Sequence, residues 1–227
     1  MKGMTYVVHG CATTGLARAS VRRAFAMPRP AGSQRGFTLV ELMVAIVVAA
    51  ILLAVGVPSF QSTINSGRLA TASNELLVSL QTARIEAIRY NHRTVVCLSR
   101  NAGGANPACA PAAATDASGW ITFVDANSNG TFEAATDRLL RASTVPADVR
   151  LLASSNIPSQ VRVTYRADGF ARNAAQSALL NGAIDLCMAT RRPLENVRRV
   201  VIGTGSRIAI TRVDGNGACN VPANPPS

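Results

Sequence analysis

The sequence Gly36-Phe37-Thr38-Leu39-Val40-Glu41 opens an apolar run that continues to Pro58, and this run sets the predicted topology of the chain. Residues 37–57 number 21, and Glu41 is the only charged residue among them. A helix that rises ~1.5 Å per residue would extend about 31 Å over this run, which matches the hydrocarbon core of a bilayer. We therefore predict one membrane crossing that separates a basic leading segment from an outer domain.

The carboxylate of Glu41 within this run needs an explanation. A carboxylate in lipid costs ~2.5–3.5 kcal/mol on insertion scales, and the positive end of the helix dipole offsets only part of that cost. Three interpretations are open: the charge has a partner, it reaches water at the membrane edge, or it forms a capping arrangement with Thr38 at spacing i, i+3. Local spacing does not separate them.

Residues 35–41, Arg-Gly-Phe-Thr-Leu-Val-Glu, resemble the leader-cleavage and methylation motif of type IV pilins and type II secretion pseudopilins. The resemblance implies that a prepilin peptidase cuts between Gly36 and Phe37, and that the new amine of Phe37 is methylated. It also implies that Glu41 pairs with the N-terminal amine of a neighbouring subunit when the helices bundle in a filament. Pro58 lies where many pilins kink, and a proline in a helix interior removes a hydrogen bond.

The leading segment, residues 1–36, is basic throughout and contains no acid; its cations are Lys2, Arg18, Arg22, Arg23, Arg29 and Arg35. By the positive-inside rule this end stays cytoplasmic. A secretory signal peptide would lose its apolar core, whereas here the apolar segment follows the cut and is retained. Met27 begins a ten-residue alternative leader, and we hypothesise that translation starts there.

Removal of the leader lowers the net charge from +11 to +5, because 17 basic residues then face 12 acids. About 140 residues follow the long helix, which is enough for one domain with its own core. We divide the chain into the leader (1–36), the membrane or filament-core helix (37–57), its amphipathic continuation (58–92) and an outer β domain (93–227).

Four cysteines lie outside the leader, and an even count in an oxidising compartment favours two disulfides. Four cysteines allow three pairings. We favour Cys97–Cys109, which would close a loop rich in Gly, Pro and Ala, and Cys187–Cys219, which would join the C-terminal tail to a strand. The lack of a C-x-x-C pair and the scarcity of histidine argue against a zinc site.

Apolar residues recur every three or four positions after Pro58 and predict a helix that runs from about Thr38 to about Tyr90. The predicted stripe contains Leu69, Ala72, Leu76, Leu80, Ala83 and Ala87, widened by Leu77 and Ile88. From Thr94 onward the pattern changes to short strands between turn residues, at 94–98, 120–124, 139–142, 149–152, 161–165, 183–188, 197–202 and 207–211. The alternation in residues 161–165 predicts a half-solvated strand, and the apolar run 200–202 predicts a more buried one. We expect an α+β fold, a long helix packed on one or two antiparallel sheets.

The outer domain is similar to that of the H-type pseudopilin and FimT family. The similarity rests on Gly119-Trp120-Ile121-Thr122-Phe123-Val124-Asp125-Ala126-Asn127, on Asp137-Arg138-Leu139-Leu140-Arg141 and on Tyr165-Arg166-Ala167-Asp168-Gly169. It implies a minor subunit whose partners are other pilin or pseudopilin subunits, a prepilin peptidase and the inner membrane.

Enzyme motifs are missing from the sequence: it has no nucleophile elbow, P-loop or dinucleotide fingerprint. We therefore expect neither an enzyme nor a cofactor. His92 is the only histidine outside the leader, and its place just after the helix suggests a helix cap or dipole partner rather than a base.

The segment Asp125-x-Asn127-x-Asn129-Gly130 matches the front half of a calcium-binding EF-hand loop. Thr136 stands where the bidentate glutamate should be, and Asp137 comes one place late. Asn and Gly at these positions more simply form a hairpin turn, so we predict no metal here.

Six arginines fall within 22 residues that contain one acid, Glu195; they are Arg191, Arg192, Arg198, Arg199, Arg207 and Arg212. Such a surface suits a phosphate backbone. Some FimT-like minor pilins bind DNA through a Gly-Arg-x-Arg motif in this region, but the motif is not intact in Gly205-Ser206-Arg207-Ile208. The odd separation of Arg207 and Arg212 places them on opposite faces of a regular strand. A solvated face is the preferred interpretation, with Arg198, Arg199, Arg207 and Arg212 as candidate DNA-binding residues.

The sequence thus predicts a minor type IV pilin of the inner membrane, with a periplasmic outer domain, that joins or primes a pilus and supports its biogenesis and twitching. An H-type pseudopilin of a type II secretion machine is the first alternative. A DNA receptor that serves DNA uptake is the second.

Overall fold

The computed structural model describes residues 36–111, 117–157, 162–173 and 175–226. The predicted leader with its start at Met27, apart from Gly36, and the predicted strand start at residue 161 lie outside the described residues. The described elements are α1 (Leu39–Tyr90), β1 (Arg93–Ser99), β2 (Gly119–Asp125), β3 (Arg138–Thr144), β4 (Val149–Ala153), β5 (Val163–Tyr165), β6 (Ala171–Arg172), β7 (Gly182–Met188), β8 (Val197–Ile202) and β9 (Ile208–Val213).

The chain divides into two compact units, Met1–Val44 and Ala45–Ser227. In the first unit, the described residues comprise Gly36, Phe37 and the capped start of α1. The second unit contains the rest of α1 and all nine described strands.

The strands form two antiparallel sheets, one with the order β3-β2-β1-β5-β6 and the other with the order β4-β7-β8-β9. In the five-stranded sheet Cys97 lies opposite Ile121, and the register of β2 and β3 shifts between Thr122 and Phe123. In the four-stranded sheet Arg198 lies opposite both Leu186 and Arg212. The predicted α+β fold is confirmed.

One face of each sheet packs against the same face of α1. The predicted helix stripe is buried at Leu69, Ala72, Leu76, Leu80, Ala83 and Ala87. Val96 and Trp120 from one sheet and Leu186 and Val200 from the other join this core, and the buried indole N–H of Trp120 donates to Ser79 Oγ at 2.8 Å. Each leucine fully buried here contributes about 1.5–3 kcal/mol. Ile88 does not widen the stripe as predicted, because its side chain is exposed.

The five-stranded sheet also covers a smaller apolar cluster on its other face. Val95, Cys97, Ile121 and Phe123 form this cluster, and Cys109 and Phe132 pack on it. Both faces of β1 and β2 are therefore buried.

The prediction of a half-solvated strand at residues 161–165 is wrong for Val163–Tyr165, which form β5. All three residues of β5 are buried, since Thr164 lies beside Val95 of the second cluster and Val163 and Tyr165 belong to the main core.

Both favoured disulfides are confirmed, with Cα–Cα distances of 5.6 Å for Cys97–Cys109 and 5.7 Å for Cys187–Cys219. The second disulfide fixes the C-terminal strap, which we define as residues 214–226. Cys219 holds the start of the strap at the C-terminal end of β7. Just before β7 begins, Asn181 Nδ2 donates to the carbonyl of Pro225 at 3.0 Å. The strap therefore follows β7 in the antiparallel direction.

Candidate assembly helix and arginine clusters

The first half of α1 presents apolar side chains that no other described part of the chain covers. Leu39 and Leu52 are 74 % and 68 % exposed, and the large apolar residues between them are 50–68 % exposed. By length and composition α1 is also the one described helix that could cross a membrane. An apolar surface of this kind needs lipid or neighbouring helices to cover it.

Thr38 caps the start of α1. Its hydroxyl oxygen accepts the N–H of Glu41 at 3.2 Å, and its carbonyl accepts the N–H of Leu42 at 3.1 Å. This is one half of a capping box. Among the described residues no cation pairs with the Glu41 carboxylate, so its pairing with a neighbouring amine stays a prediction.

The other motif residues are placed as follows. Gly36 and Phe37 precede the helix and are exposed. Pro58 lies within α1, and the helix is continuous through it. Cleavage, methylation and the kink at Pro58 remain predictions.

A loop of the outer domain lies against α1 just beyond the apolar run. In this arginine loop, residues 190–194, the carbonyl of Arg192 accepts a hydrogen bond from Asn65 Nδ2 at 2.8 Å. Arg191 and Arg192 face Ser59 and Ser62 across an open groove. Both arginine side chains are exposed.

Arg198 belongs to the interior rather than to an exposed cluster. It is 3 % exposed, and its guanidinium donates to the carbonyl of Glu195 at 2.8 Å and to Ser66 Oγ at 2.9 Å. Burial lowers its pKa, and the nearby Arg212 lowers it further. Its inclusion among the candidate DNA-binding residues is thereby corrected, because its donors are used inside the fold.

Arg199 is held by a buried acid. Its Nε and Nη2 donate to the two carboxylate oxygens of Asp185, each at 2.8 Å, and Asp185 is 2 % exposed. These hydrogen bonds raise the pKa of Arg199. This bidentate pair occupies the Nε–Nη2 edge of the guanidinium, so the fork that would suit a phosphate on that side is already used.

Arg207 and Arg212 lie at opposite ends of β9. Arg212 is opposite Arg198, which contacts Ser66. Arg207 precedes the strand beside Ser206, whose carbonyl accepts from Arg84 Nη1 at 3.4 Å. Ser66 and Arg84 are 18 residues apart on α1, a distance of about 27 Å. The predicted cluster is therefore divided between two ends of the domain.

The segment that resembles half of an EF-hand forms a turn. The carboxylate of Asp125 accepts the N–H groups of Asn129 at 3.1 Å and Gly130 at 2.9 Å. Burial raises the pKa of Asp125. Glu133 accepts from the Asn129 side chain at 3.0 Å, so the turn's oxygens are used by the turn itself. In the parts of the chain that the structure describes, no three His, Cys, Asp or Glu side chains are grouped to hold a metal.

Two other features were not found by sequence reasoning. The residue that ends α1 in a left-handed conformation is Asn91, at φ 54°, rather than His92. Arg93, Arg162 and Arg172 line a polar cleft of about 180 Å³. Strand pairing brings these arginines together, and no local motif marks them.

Comparison with known proteins identifies related sequences and folds. A family model described as type II transport protein GspH matches residues 72–206, and a model of the prokaryotic N-terminal methylation motif matches residues 32–57. No curated protein matches the chain.

Two crystal structures of the type IV minor pilin FimU of Pseudomonas aeruginosa are similar in fold. The crystal form in space group P21 is 16 % identical, covers 64 % of this chain and 90 % of its own, and has a TM-score of 0.42. The form in space group P65 is 17 % identical, covers 63 % and 92 %, and has a TM-score of 0.43.

Proposed function

Because the chain belongs to the family of type II transport protein GspH and carries the N-terminal methylation motif, we propose that it is a minor subunit of a type IV pilus. It is held in the inner membrane by residues 37–57, with its outer domain in the periplasm. After cleavage at Gly36 it enters the filament through α1.

The exposed apolar half of α1 is the observation that carries this proposal. Packing against like helices would transfer the apolar side chains of residues 37–57 out of lipid at little cost in free energy, since lipid tails and neighbouring helices are equally apolar. Glu41 would then make this helix packing specific, because its carboxylate has no cationic partner among the described residues. Its pairing with a neighbour's N-terminal amine would neutralise both charges inside the bundle.

The proposal is tested with Glu41→Gln, which keeps the shape of the side chain and removes its charge. We expect the variant to insert in the membrane and to be cleaved, yet to be depleted at least about tenfold from sheared filaments, since loss of a buried pair costs more than 1.4 kcal/mol. Glu195→Gln is the matched control, because Glu195 is exposed and lies in the outer domain. Equal recovery of both variants in filaments would refute the proposed pairing.

A type II secretion machine is the second candidate, favoured by the match to the family of type II transport protein GspH. A pilus subunit and a secretion pseudopilin would use α1 in the same way. Deletion of the gene separates them: loss of surface pili with normal protein secretion supports the first, and the reverse result supports the second.

A DNA-receptor role is the third candidate and rests on the exposed cations Arg207 and Arg212. Their separation along β9 requires a duplex to contact both ends of the strand. In a gel shift at low salt, the Arg207→Ala and Arg212→Ala variants should each weaken binding and reduce its salt dependence. A shift that neither change alters would count against these residues.

A further inference from the structure

We propose that the arginine loop, residues 190–194, binds the phosphates of anionic lipids at the outer surface of the membrane and seats the domain there before assembly. This inference rests on the proposed crossing of residues 37–57 and adds a second membrane contact, made by the folded domain rather than by the helix.

The height of the loop above the lipid core is set by α1. Ser59 and Ser62, which line the groove with Arg191 and Arg192, follow the end of the apolar run at residue 57. At ~1.5 Å per residue they lie about 3 Å and about 8 Å beyond it. The headgroup layer on each side of a bilayer is about 5–8 Å thick. The loop residues that line the groove with these serines are therefore level with the lipid phosphates.

The backbone of the loop is fixed while its cationic side chains stay accessible. Asn65 holds the carbonyl of Arg192, and Thr190 Oγ1 accepts the N–H of Arg192 at 3.1 Å. Among the described residues no acid pairs with Arg191 or Arg192. Guanidinium forks of this kind match phosphate oxygens in geometry and charge.

Two acids at this end of the domain already have cationic partners. Asp148 accepts from Arg68 at 2.9 Å, and Glu195 lies 3.6 Å from Arg212. With these two acids paired, the exposed cations Arg191 and Arg192 remain available to lipid phosphates.

Apolar side chains at the same level complete an interfacial surface. Leu194 is 73 % exposed and Phe60 is 68 % exposed. Aromatic and aliphatic groups beside cations are typical of segments that lie at the headgroup boundary. A DNA duplex is the less suitable occupant, since headgroups fill this space while α1 is in the bilayer.

The test uses the mature full-length chain in nanodiscs of phosphatidylcholine, with and without phosphatidylglycerol. Hydrogen exchange of the amides in residues 190–195 is the readout. We expect phosphatidylglycerol to slow it by about fivefold for each arginine engaged. The double variant Arg191→Gln/Arg192→Gln should lose this effect, because it removes both positive charges. The loop itself should stay in place, since the hydrogen bonds that fix it use backbone groups of Arg192.

Arg166→Gln/Arg207→Gln is the matched control, with the same loss of charge on exposed arginines away from the loop; it should keep the lipid effect. Unchanged fluorescence of Trp120 reports that the variants fold. The inference would be overturned if protection of the loop amides from exchange did not depend on phosphatidylglycerol, or if the loop variant retained that protection. So would protection produced by added duplex DNA and not by lipid. If the chain fails to enter the nanodisc at all, the proposed membrane crossing fails first.

Discussion

At the scale of single residues, Asp185 is a buried acid in the four-stranded sheet whose charge needs a partner. It is buried with its charge, and Arg199 is its bidentate partner. We expect Arg199→Leu to lower the free energy of unfolding by about 3 kcal/mol, because it leaves a buried carboxylate unpaired. Denaturant titration followed by Trp120 fluorescence in detergent measures this change.

The double variant Asp185→Leu/Arg199→Leu should recover much of that loss, since it removes both charges together. Arg207→Leu serves as the control, an exposed arginine for which a change within about 0.5 kcal/mol is expected. A loss at Arg199 no larger than that of the control would contradict the role of the pair.

How far the sequence predicts the contacts and burial of a residue depends on how close its partner lies in the sequence. Thr38 and Glu41 are three residues apart, so spacing alone suggested the cap that the structure contains. Arg198 and Arg207 look alike in the sequence, yet one is buried and the other exposed. The group that holds Arg198, Ser66, is 132 residues away, and no local pattern carries that information.

At the scale of elements, Glu75 joins α1 to β3. Its Oε1 accepts from Arg141 Nε at 2.8 Å, from Arg141 Nη2 at 2.6 Å and from Ser143 Oγ at 2.8 Å. Burial raises the pKa of Glu75, but the hydrogen bonds from Ser143 and Arg141 outweigh it and leave the pKa lowered. A carboxylate whose folded pKa is depressed stabilises the fold above its unfolded pKa.

We therefore expect Glu75→Gln to cost about 1 kcal/mol at neutral pH, a modest value because the groups are partly exposed. The cost should shrink as the pH falls below about 4.3, the ordinary glutamate value, and through the lower folded pKa. Denaturation of both proteins across this range measures the difference. Glu195→Gln, at the longer 3.6 Å contact, is the control, and a cost at Glu75 that does not vary with pH would contradict the assignment.

The C-terminal strap depends on its disulfide. Replacement of Cys187 and Cys219 by Ser should lower the free energy of unfolding by about 2–4 kcal/mol, since the bond closes a loop of sequence separation 32. Limited proteolysis should then cut within residues 214–226 before the rest of the domain. Cys97→Ser/Cys109→Ser is the comparison, because it should leave the strap resistant. A strap equally resistant in both variants would show that Asn181 and its neighbours suffice to hold it.

Elements were predictable where one periodic pattern decided them. The stripe of α1 and eight strands followed from spacing and turn residues, whereas β6 has two residues and no periodicity to detect. The burial of β5 was missed because the second apolar cluster, closed by Cys97–Cys109, is formed by residues from β1, β2 and the loops. Its existence depends on pairing between strands, which alternation within one strand does not report.

At the scale of the whole molecule, the proposed route into a filament begins with cleavage between Gly36 and Phe37. Gly36→Leu should block cleavage, since it replaces the glycine at the proposed cut with a bulky residue. The precursor should then accumulate in the membrane, unmethylated and absent from filaments, and mass spectrometry of the N-terminal peptide reads this directly. Gly67→Ala is the control, because an added methyl group there meets no atom within 4 Å. Filaments that contain the uncut chain would contradict the proposed route.

The sequence predicted a membrane crossing and an α+β domain because each rests on a long, uniform signal. It did not predict that the arginines of residues 191–212 separate into buried, paired and exposed groups at two ends of the domain. That separation follows from how β8 and β9 lie against α1, which is a property of the folded chain.

The path of the strap has a practical meaning for work in living cells. The strap starts beside the end of β7 that lies near Ser66 and finishes beside Asn181 and Asn156, at the opposite end of that strand. Under the proposed membrane crossing, a fluorescent protein or epitope attached after residue 226 would therefore lie at the end of β7 that is farther from residues 45–57. This end of the strap is therefore suited to a label for watching whether the subunit enters growing filaments.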